Sequence, residues 1–479
     1  MIQSCGTGSP NLPNETVVPR FRDVRGLQVT AATSETVRLL DEAVESYLAA
    51  RTDTRRRLDA VLAADPTCAL AHCVDGYLRM LSSKREGRQQ AIAAHIGAVS
   101  AARMELVTER ESRHIDALAA WTSGDMRGAV AIWSAILADA PRDLVAIKVS
   151  QFVLSYLGES QGMRDAVAAA LPQWDDGVPG YGYLLGCYAY GLEESGDYAR
   201  ADEFGRRAVD LNPADIWAAH AVAHVAEMQG RRQEGLAWIT NGSDYWRECN
   251  NFSFHLRWHE ALFRLDLEEH ERVLDVYDRE VRRECTDEYL DIANAVSLLW
   301  RLEQTDVSVG DRWRELADRS RGHIGDHSLV FVDLHYLMAL AADGDTAAVE
   351  RFLNSCERFA SENATEAEVM AEVGLPLARA VVAHRHGAYA EVVDLLMPVR
   401  SRFRRIGASH AQRDIFDQLL IDAAWRSRRL DVAADLLAER TARRPGNLWG
   451  WKHYVAVLND LGGAEAVPAA RTLERLRRK

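Results

Sequence analysis

Apolar residues recur along this chain at the three-to-four-residue spacing of amphipathic helices, in segments of about 11 to 16 residues. We find no convincing strict alternation of the kind that predicts a half-buried strand. The pattern predicts an all-α protein, and Pro376 predicts a kink within one long segment because proline lacks the backbone N–H of a continuous helix. The predicted helices lie near 34–49, 52–64, 68–82, 88–103, 109–122, 126–139, 143–157, 160–170, 180–194, 197–210, 214–229, 231–240, 252–267, 269–282, 287–303, 309–321, 327–342, 345–359, 365–387, 389–404, 411–426, 430–441, 447–461 and 464–477.

A degenerate internal repeat organises these helices into pairs. The sequence Gly196-Asp197 is followed by small residues and a proline at the positions typical of a tetratricopeptide repeat, namely Ala201, Ala208 and Pro213. The same frame recurs at Gly124-Asp125, Ala129, Trp133 and Pro141, and more weakly at Ala433, Leu437 and Pro445. The repeat predicts a tetratricopeptide-like α-solenoid, a superhelical array of antiparallel helix pairs. We expect residues 1–20 to be a flexible N-terminal tail and residues 21–479 to form a single domain.

Composition narrows the classes of partner. The formal net charge is −14, and acidic and basic residues are interleaved, which argues against binding to nucleic acid or to anionic membranes. No apolar run approaches the roughly 18 residues that span a bilayer. The seven cysteines are scattered without a CxxC motif, and the N-terminus does not have the pattern of a signal peptide. These features predict a cytoplasmic protein with reduced thiols.

Four histidines stand out by their register. His220 and His224 lie four residues apart, His255 and His259 repeat that spacing, and the two pairs are separated by 35 residues. This separation is close to the roughly 34-residue repeat, so the pairs should lie side by side on the first helices of adjacent repeats. Those helices line the concave face of a solenoid, and Glu227 shares the face of the first pair.

Residues at equivalent positions in neighbouring repeats extend the cluster into a polar strip along the inner wall. We expect Trp217, Trp258, Asp291, Arg413 and Tyr188 to contact a bound substrate. Other positions of the predicted strip are Lys148, Gln151, Asn294, Asp333 and His335.

The four imidazoles allow three interpretations: metal binding, acid-base catalysis without a metal, and a structural role. Neutral imidazole suits zinc, copper or iron, and a His-x3-His pair on a helix is a familiar metal-binding geometry, so His220, His224, His255 and His259 are the candidate ligands of a divalent metal. Without metal, close histidines depress one another's pKa and can act as acid and base near neutral pH, oriented by Glu227 or Asp291. The third interpretation is structural, with hydrogen-bonded histidines that help to bind a peptide. No cofactor is strictly required by the pattern.

A second candidate, Ser409-His410-Ala411-Gln412-Arg413-Asp414, contains a serine, a histidine and a charge pair. Ser409 three residues before Gln412, ahead of an apolar run, is the pattern of a capping box at a helix start. We therefore interpret Ser409 as a cap, while Arg413 remains able to hold a carboxylate or phosphate with two hydrogen bonds.

An ordered series of motifs resembles the tetratricopeptide repeat protein 38 family, which has animal and bacterial members. The motifs are Gly26-Leu27-Gln28, Ala63-Ala64-Asp65-Pro66-Thr67 with His72, Met163-Arg164-Asp165, Trp217-x2-His220-x3-His224-x2-Glu227-Met228, His255-x2-Trp258-His259, Val307-Ser308-Val309-Gly310-x-Arg312-Trp313, Gly374-Leu375-Pro376-Leu377 and Ala411-Gln412-Arg413-Asp414. The resemblance covers about residues 20 to 440. It implies an all-helical, soluble, intracellular protein, and the family pattern includes both histidine pairs and Glu227. It implies no particular reaction.

Two functional hypotheses follow from the sequence. In the first, the array encloses a polar pocket in which the histidines and Glu227 bind a small molecule and act on it by acid-base chemistry, with or without a metal, as a lyase, a hydrolase or another acid-base enzyme. In the second, the protein is a non-catalytic scaffold that binds a peptide in its concave groove. A homodimer is compatible with either hypothesis.

Overall fold

The computed structural model describes residues 20–478, so that the predicted tail, apart from Arg20, lies outside the described residues. The described chain begins with two short antiparallel strands, β1 (Arg20–Arg22) and β2 (Gln28–Thr30), in which Phe21 lies opposite Val29. The spacing of apolar residues did not predict this hairpin, because each strand is only three residues long.

Apart from an isolated antiparallel bridge between Arg51 and Cys249, the remaining regular secondary structure of residues 20–478 is helical, which confirms the predicted all-α class. The first half contains α1 (Ser34–Leu48), α2 (Thr54–Ala64), α3 (Ala69–Met80), α4 (Arg85–Met104), α5 (Glu109–Ser123), α6 (Met126–Asp139), α7 (Leu144–Tyr156), α8 (Ser160–Ala170), α9 (Tyr181–Glu194), α10 (Tyr198–Leu211), α11 (Ile216–Met228), α12 (Arg232–Gly242) and α13 (Phe252–Asp266). The second half contains α14 (His270–Val276), α15 (Tyr289–Glu303), α16 (Arg312–Arg321), α17 (Val330–Asp343), α18 (Thr346–Phe359), α19 (Thr365–Val369), α20 (Leu375–Arg385), α21 (Tyr389–Leu396), α22 (His410–Arg426), α23 (Leu430–Arg443), α24 (Leu448–Leu461) and α25 (Ala466–Arg477). Short 3₁₀ segments occupy Leu171–Gln173, Ser243–Trp246 and Arg400–Ile406, and π-helical turns occupy Tyr277–Val281 and Met370–Gly374.

The kink that Pro376 predicts has a defined form. The predicted helix 365–387 is divided into α19 and α20 by the π-helical turn Met370–Gly374, and Pro376 follows as the second residue of α20. A π-turn widens the helix locally, so the missing N–H of the proline is accommodated without ending the helix.

The repeated Gly-Asp pair explains how one helix of a pair turns into the next. Gly124 and Gly196 adopt left-handed backbone conformations with φ of 96° and 85°, which end the preceding helix. The following Asp125 and Asp197 then cap α6 and α10, since each side chain accepts a hydrogen bond from a backbone N–H three residues later. The short loops that result hold consecutive helices antiparallel.

Small residues allow the paired helices to approach closely. Ala129, Ala201, Ala208 and Ala433, which belong to the predicted repeat frame, are all fully buried. One apolar cluster extends from Val29 to Val457, so the repeats share a continuous core. These features confirm the tetratricopeptide-like solenoid.

The array curls until its second half covers its first. Hydrogen bonds join residues more than 200 positions apart: the backbone N–H of Thr365 donates to the carbonyl of Gly124 at 3.0 Å, and the guanidinium of Arg232 donates to the carbonyl of Leu476 at 3.1 Å. The inner wall that would form an open groove is therefore enclosed. Within the described residues, no helix combines the length and the apolar character needed to cross a bilayer.

The contact between the two halves should tolerate no side chain at Gly230. Its φ is 68°, and a Cβ there would lie 2.6 Å from the Cα of Gly446 in the other half. We expect Gly230→Ala to destabilise the fold by about 1–2 kcal/mol through left-handed strain and by about 1–3 kcal/mol more through overpacking. The measurement is the midpoint of unfolding by urea. Gly387→Ala is the matched control, because Gly387 has a φ of 74° and no atom within 4 Å of its added Cβ. Equal effects of the two substitutions would contradict the close contact.

Candidate functional site

The two histidine pairs form one buried cluster. His220 and His224 project from α11, and His255 and His259 project from the neighbouring α13. One nitrogen atom from each ring lies within 4.8 Å of the other three, which confirms that the two pairs lie side by side. The four side chains lie inside the curled array, and all four residues are 0–2% exposed. They face inwards as predicted, but they face a filled interior and not an open groove.

The Nε2 atoms of the cluster point towards one another. Nε2 of His220 lies 2.8 Å from Nε2 of His224 and 3.0 Å from Nε2 of His255. A ring nitrogen carries either one proton or one lone pair, so Nε2 of His220 is in contact with more partners than it can satisfy with a single hydrogen bond.

The outer Nδ1 atoms face acceptors on three of the four rings. Nδ1 of His259 donates to Oε2 of Glu227 at 3.0 Å, and Nδ1 of His255 donates to Oδ1 of Asn294 at 3.1 Å. Nδ1 of His224 lies 3.4 Å from Oε2 of Glu193. The acceptors of His255 and His259 favour the tautomer with the proton on Nδ1 and leave a lone pair on the Nε2 atom of each of these two rings.

Electrostatics favour neutral imidazoles on three of the four rings. Burial, followed by the neighbouring imidazoles, lowers the pKa of His220, His255 and His259 well below the usual range. Burial also opposes protonation of His224, but the carboxylates of Glu193 and Glu194 outweigh it and raise the pKa of this histidine.

Aromatic rings surround the cluster and exclude water from it. The indole of Trp258 stacks on His255 with ring centroids 5.3 Å apart, and the indole of Trp217 lies 5.6 Å from His220. The ring centroid of Tyr190, on α9, also lies 5.6 Å from that of His220. The two tryptophans predicted as substrate-binding residues thus form the walls of the cluster, and both are buried.

The other predicted substrate-binding residues lie at different places. Arg413 reaches the cluster indirectly, since its Nη2 atom is 3.4 Å from Oε2 of Glu194. Asp291 accepts hydrogen bonds from Asn251 and Thr286 at the start of α15, where burial raises its pKa to about 6. Tyr188 points towards α10, where its hydroxyl accepts a hydrogen bond of 2.6 Å from Arg200.

The predicted polar strip is partly formed. Lys148 lies with its Nζ atom 3.7 Å from the Trp217 ring centroid, and Asn294 contacts His255. In contrast, Gln151 donates to the carbonyl of Met163 on α8. The strip therefore includes Lys148 and Asn294 but not Gln151, although Gln151 lies on the same helix α7 as Lys148.

Sequence reasoning missed Glu193 and Glu194. Both are buried at the end of α9, and Glu193 has no hydrogen-bond partner for either carboxylate oxygen within the described residues. A signal was present, because Glu193 lies 34 residues before Glu227, one repeat period away.

The capping interpretation of Ser409 is confirmed. Its hydroxyl accepts from the N–H of Gln412 at 3.3 Å, and the side chain of Gln412 accepts from the N–H of Ser409 at 3.1 Å. These reciprocal bonds start α22 and direct Arg413 towards Glu194.

No protein-family model matches the chain. Among solved structures, human IFIT1 in a dimer with PPP-AAAA is similar with 12% identity and a TM-score of 0.40, over 86% of this chain and 90% of that one. Human IFIT1 with m7Gppp-AAAA gives 13% identity and a TM-score of 0.38, over 93% and 94% of the two chains. The tetratricopeptide domain of P58(IPK) gives 12% identity and a TM-score of 0.21, over 78% and 98%. Similarities at this level carry no inference about function, and the description of the fold rests on the helices themselves.

Mutational coupling should reveal the shared site. We expect His220→Ala and His255→Ala each to destabilise the protein, and the double variant to cost about 0.5–3 kcal/mol less than their sum, because each single change already breaks the Nε2 contact between them. Unfolding by urea measures the three free energies. His453→Ala combined with His220→Ala is the control, since His453 bonds to the Trp449 carbonyl on α24. Additive costs for the first pair would contradict a shared network.

Proposed function

We propose that the four histidines bind a divalent first-row transition-metal ion, and that a small molecule binds next to this centre and is acted upon there. The observation that carries the proposal is the convergence of the ring nitrogens in a dry interior, with the outer nitrogens of three rings directed at acceptors. The proposed metal centre is the metal-assisted version of the first sequence hypothesis, in which a polar pocket carries out acid-base chemistry.

The tautomers supply the physical reason. With the proton on Nδ1 of His255 and His259, these two rings present Nε2 lone pairs, while Nδ1 of both His220 and His224 has no hydrogen-bond partner within the described residues. Nε2 of His220 can form only one hydrogen bond in its ring plane, so one of its contacts with His224 and His255, of 2.8 and 3.0 Å, stays unsatisfied. A bound cation would convert these opposed lone pairs into ligands.

The residues present fit such an ion. Four nitrogens placed tetrahedrally at about 2.1 Å from zinc lie about 3.4 Å from one another, and the cluster has contacts of 2.8 and 3.0 Å with all separations within 4.8 Å. Carboxylates and amides that accept from the outer nitrogens of ligating histidines are the usual support of metal centres. Imidazole ligands suit zinc, copper, iron or nickel.

Glu227 links the centre to a small cavity that has room for a water molecule. It accepts from His259 and also lines a cavity of about 50 Å³ together with Arg301 and Asp414. When bound, the metal would supply positive charge and Lewis acidity at this position. Glu227 is the group that we expect to pass a proton between the cavity and the cluster.

The alternative hypothesis of a peptide-binding scaffold does not use this cluster. A peptide in the groove would need histidines that it can contact, whereas these residues are 0–2% exposed. The buried centre therefore supports the first hypothesis.

Elemental analysis tests the proposal directly. We expect protein purified without a histidine tag, and refolded with zinc or copper, to retain about one equivalent of metal after dialysis. His224→Ala and His255→Ala should fall below about a tenth of an equivalent, because each removes a ligand from a four-nitrogen site. His386→Ala, which changes an exposed histidine at the end of α20, is the matched control and should bind metal normally.

Stability gives an independent measurement of the same site. Since a metal that binds only the folded state stabilises it by about 3–4 kcal/mol at 100 to 1,000 times its dissociation constant, a chelator should lower the unfolding midpoint of the native protein and leave that of His224→Ala unchanged. Native protein that retains less than about a tenth of an equivalent would overturn the metal proposal.

A further inference from the structure

A larger pocket lies beside the histidine centre, where the curled array brings α9, α10 and α11 against α22 and α23. It has a volume of about 420 Å³, within the range of small-molecule sites. Five arginines and three carboxylates line the pocket, so their summed formal charge is about +2. The whole chain carries −14, so the pocket has the opposite sign to the protein that surrounds it.

We propose that this pocket binds a small organic anion, whose carboxylate or phosphate group contacts Arg413 and Arg444. The inference deepens the proposed function, because it names the class of molecule that would bind next to the histidine centre. Inorganic phosphate and a dicarboxylate share the chemistry that the arginines recognise.

The arginines differ in how many of their N–H donors already form hydrogen bonds with the protein. Arg440 donates to both oxygens of Asp414, a bidentate pair that is complete in itself. Among residues 20–478, Arg444 has one hydrogen bond, of 3.3 Å to the carbonyl of His410, and its nearest carboxylate oxygens lie 3.6 and 3.8 Å away. A guanidinium has five N–H donors, so Arg444 retains donors for an anion.

Arg413 is the second group that we expect to contact the anion. It donates to the carbonyls of Gly407 and Ala408 through Nη1, and its Nη2 atom has only long contacts, of 3.4 Å to Oε2 of Glu194 and 3.3 Å to Nδ1 of His410, which an anion could replace. Arg413 and Arg444 are 8% and 9% exposed, which means that their donors are held in place by the surrounding structure. Preorganised guanidinium groups of this kind bind anions without a large cost in side-chain entropy.

Two carboxylates connect the pocket to the histidines. Glu194 faces Arg413 with Oε2 and lies 3.9 Å from Nδ1 of His224 with Oε1. Glu227 lies 3.8 Å from Arg444 and bonds to His259. An anion that draws the guanidinium groups towards itself thus changes the charge around both outer nitrogens of the cluster.

The remaining walls indicate the body of the ligand. Tyr198, Met228, Ile421 and Leu436 add apolar surface to the pocket. An anionic head next to the arginines and a small apolar body against these side chains describe an organic acid or a phosphate ester.

Calorimetric titration with inorganic phosphate and, separately, with succinate tests the inference at a fixed ionic strength. We expect at least one of them to bind in the millimolar range or better, and the stronger of the two identifies the head group. Arg444→Gln and Arg413→Gln should each weaken binding about tenfold or more, which corresponds to about 1.4 kcal/mol. Arg247→Gln is the control, because Arg247 is exposed, lies outside the pocket and pairs with Asp244. Arg444→Lys keeps the charge but loses the planar fork, and we expect an intermediate loss.

Metal analysis of the same samples separates the two proposals. Anion binding that is lost in folded Arg444→Gln while metal is retained would support the pocket. Metal-loaded native protein that binds neither anion below about 10 mM, or equal binding by native protein and Arg444→Gln, would overturn the pocket and leave the metal proposal standing. Anion binding by a native protein that retains no metal would support the pocket and overturn the metal centre.

Discussion

The contact between the two halves of the curled array is the constraint on which the histidine cluster depends. Four imidazoles on an open concave surface would be solvated, and their nitrogens would bond to water. Because α22 and α23 cover α9 and α11, the same rings become almost fully buried and must satisfy one another, their acceptors or a cation. The hydrogen-bond arrangement of the cluster is thus a consequence of superhelical curvature as much as of the local sequence.

Enclosure also brings charged side chains into the interior, where each requires a partner. Burial raises the pKa of Glu193, whereas His410 and Arg413 outweigh burial and lower that of Glu194. Burial likewise opposes ionisation of Asp414, but Arg440 and Arg444 reverse the balance and keep its pKa far below the usual range. The carboxylates and guanidinium groups therefore form a mutually dependent set, and loss of one member would leave another charge buried and uncompensated.

The sequence predicted most of the fold because helical periodicity and the Gly-Asp frame are local signals. The predicted segments 126–139 and 160–170 coincide with α6 and α8, and the spacing of 35 residues between the pairs brought His220 and His255 into contact. The sequence offered closure around a polar pocket as one hypothesis, but periodicity could not decide between a closed and an open array, because curvature depends on small rotations that accumulate over many repeats. Burial of the histidines and the approach of Arg444 to Glu227 follow from that closure, so helical periodicity alone could not predict either of them.

The histidines precede the helices that cover them in the chain, so they leave the ribosome first during synthesis. The histidines of the cluster and their acceptors lie between Glu193 and Asn294, whereas Arg413 and Arg444, which cover it, come more than 100 residues later. Since domains and repeats begin to fold as they leave the ribosome, the imidazoles can assemble while they are still open to the cell. An ion captured at that stage would afterwards be enclosed by the C-terminal helices. Its release would then require the two halves to separate, and exchange would be governed by the opening rate of the protein and not by the strength of the ligand bonds alone.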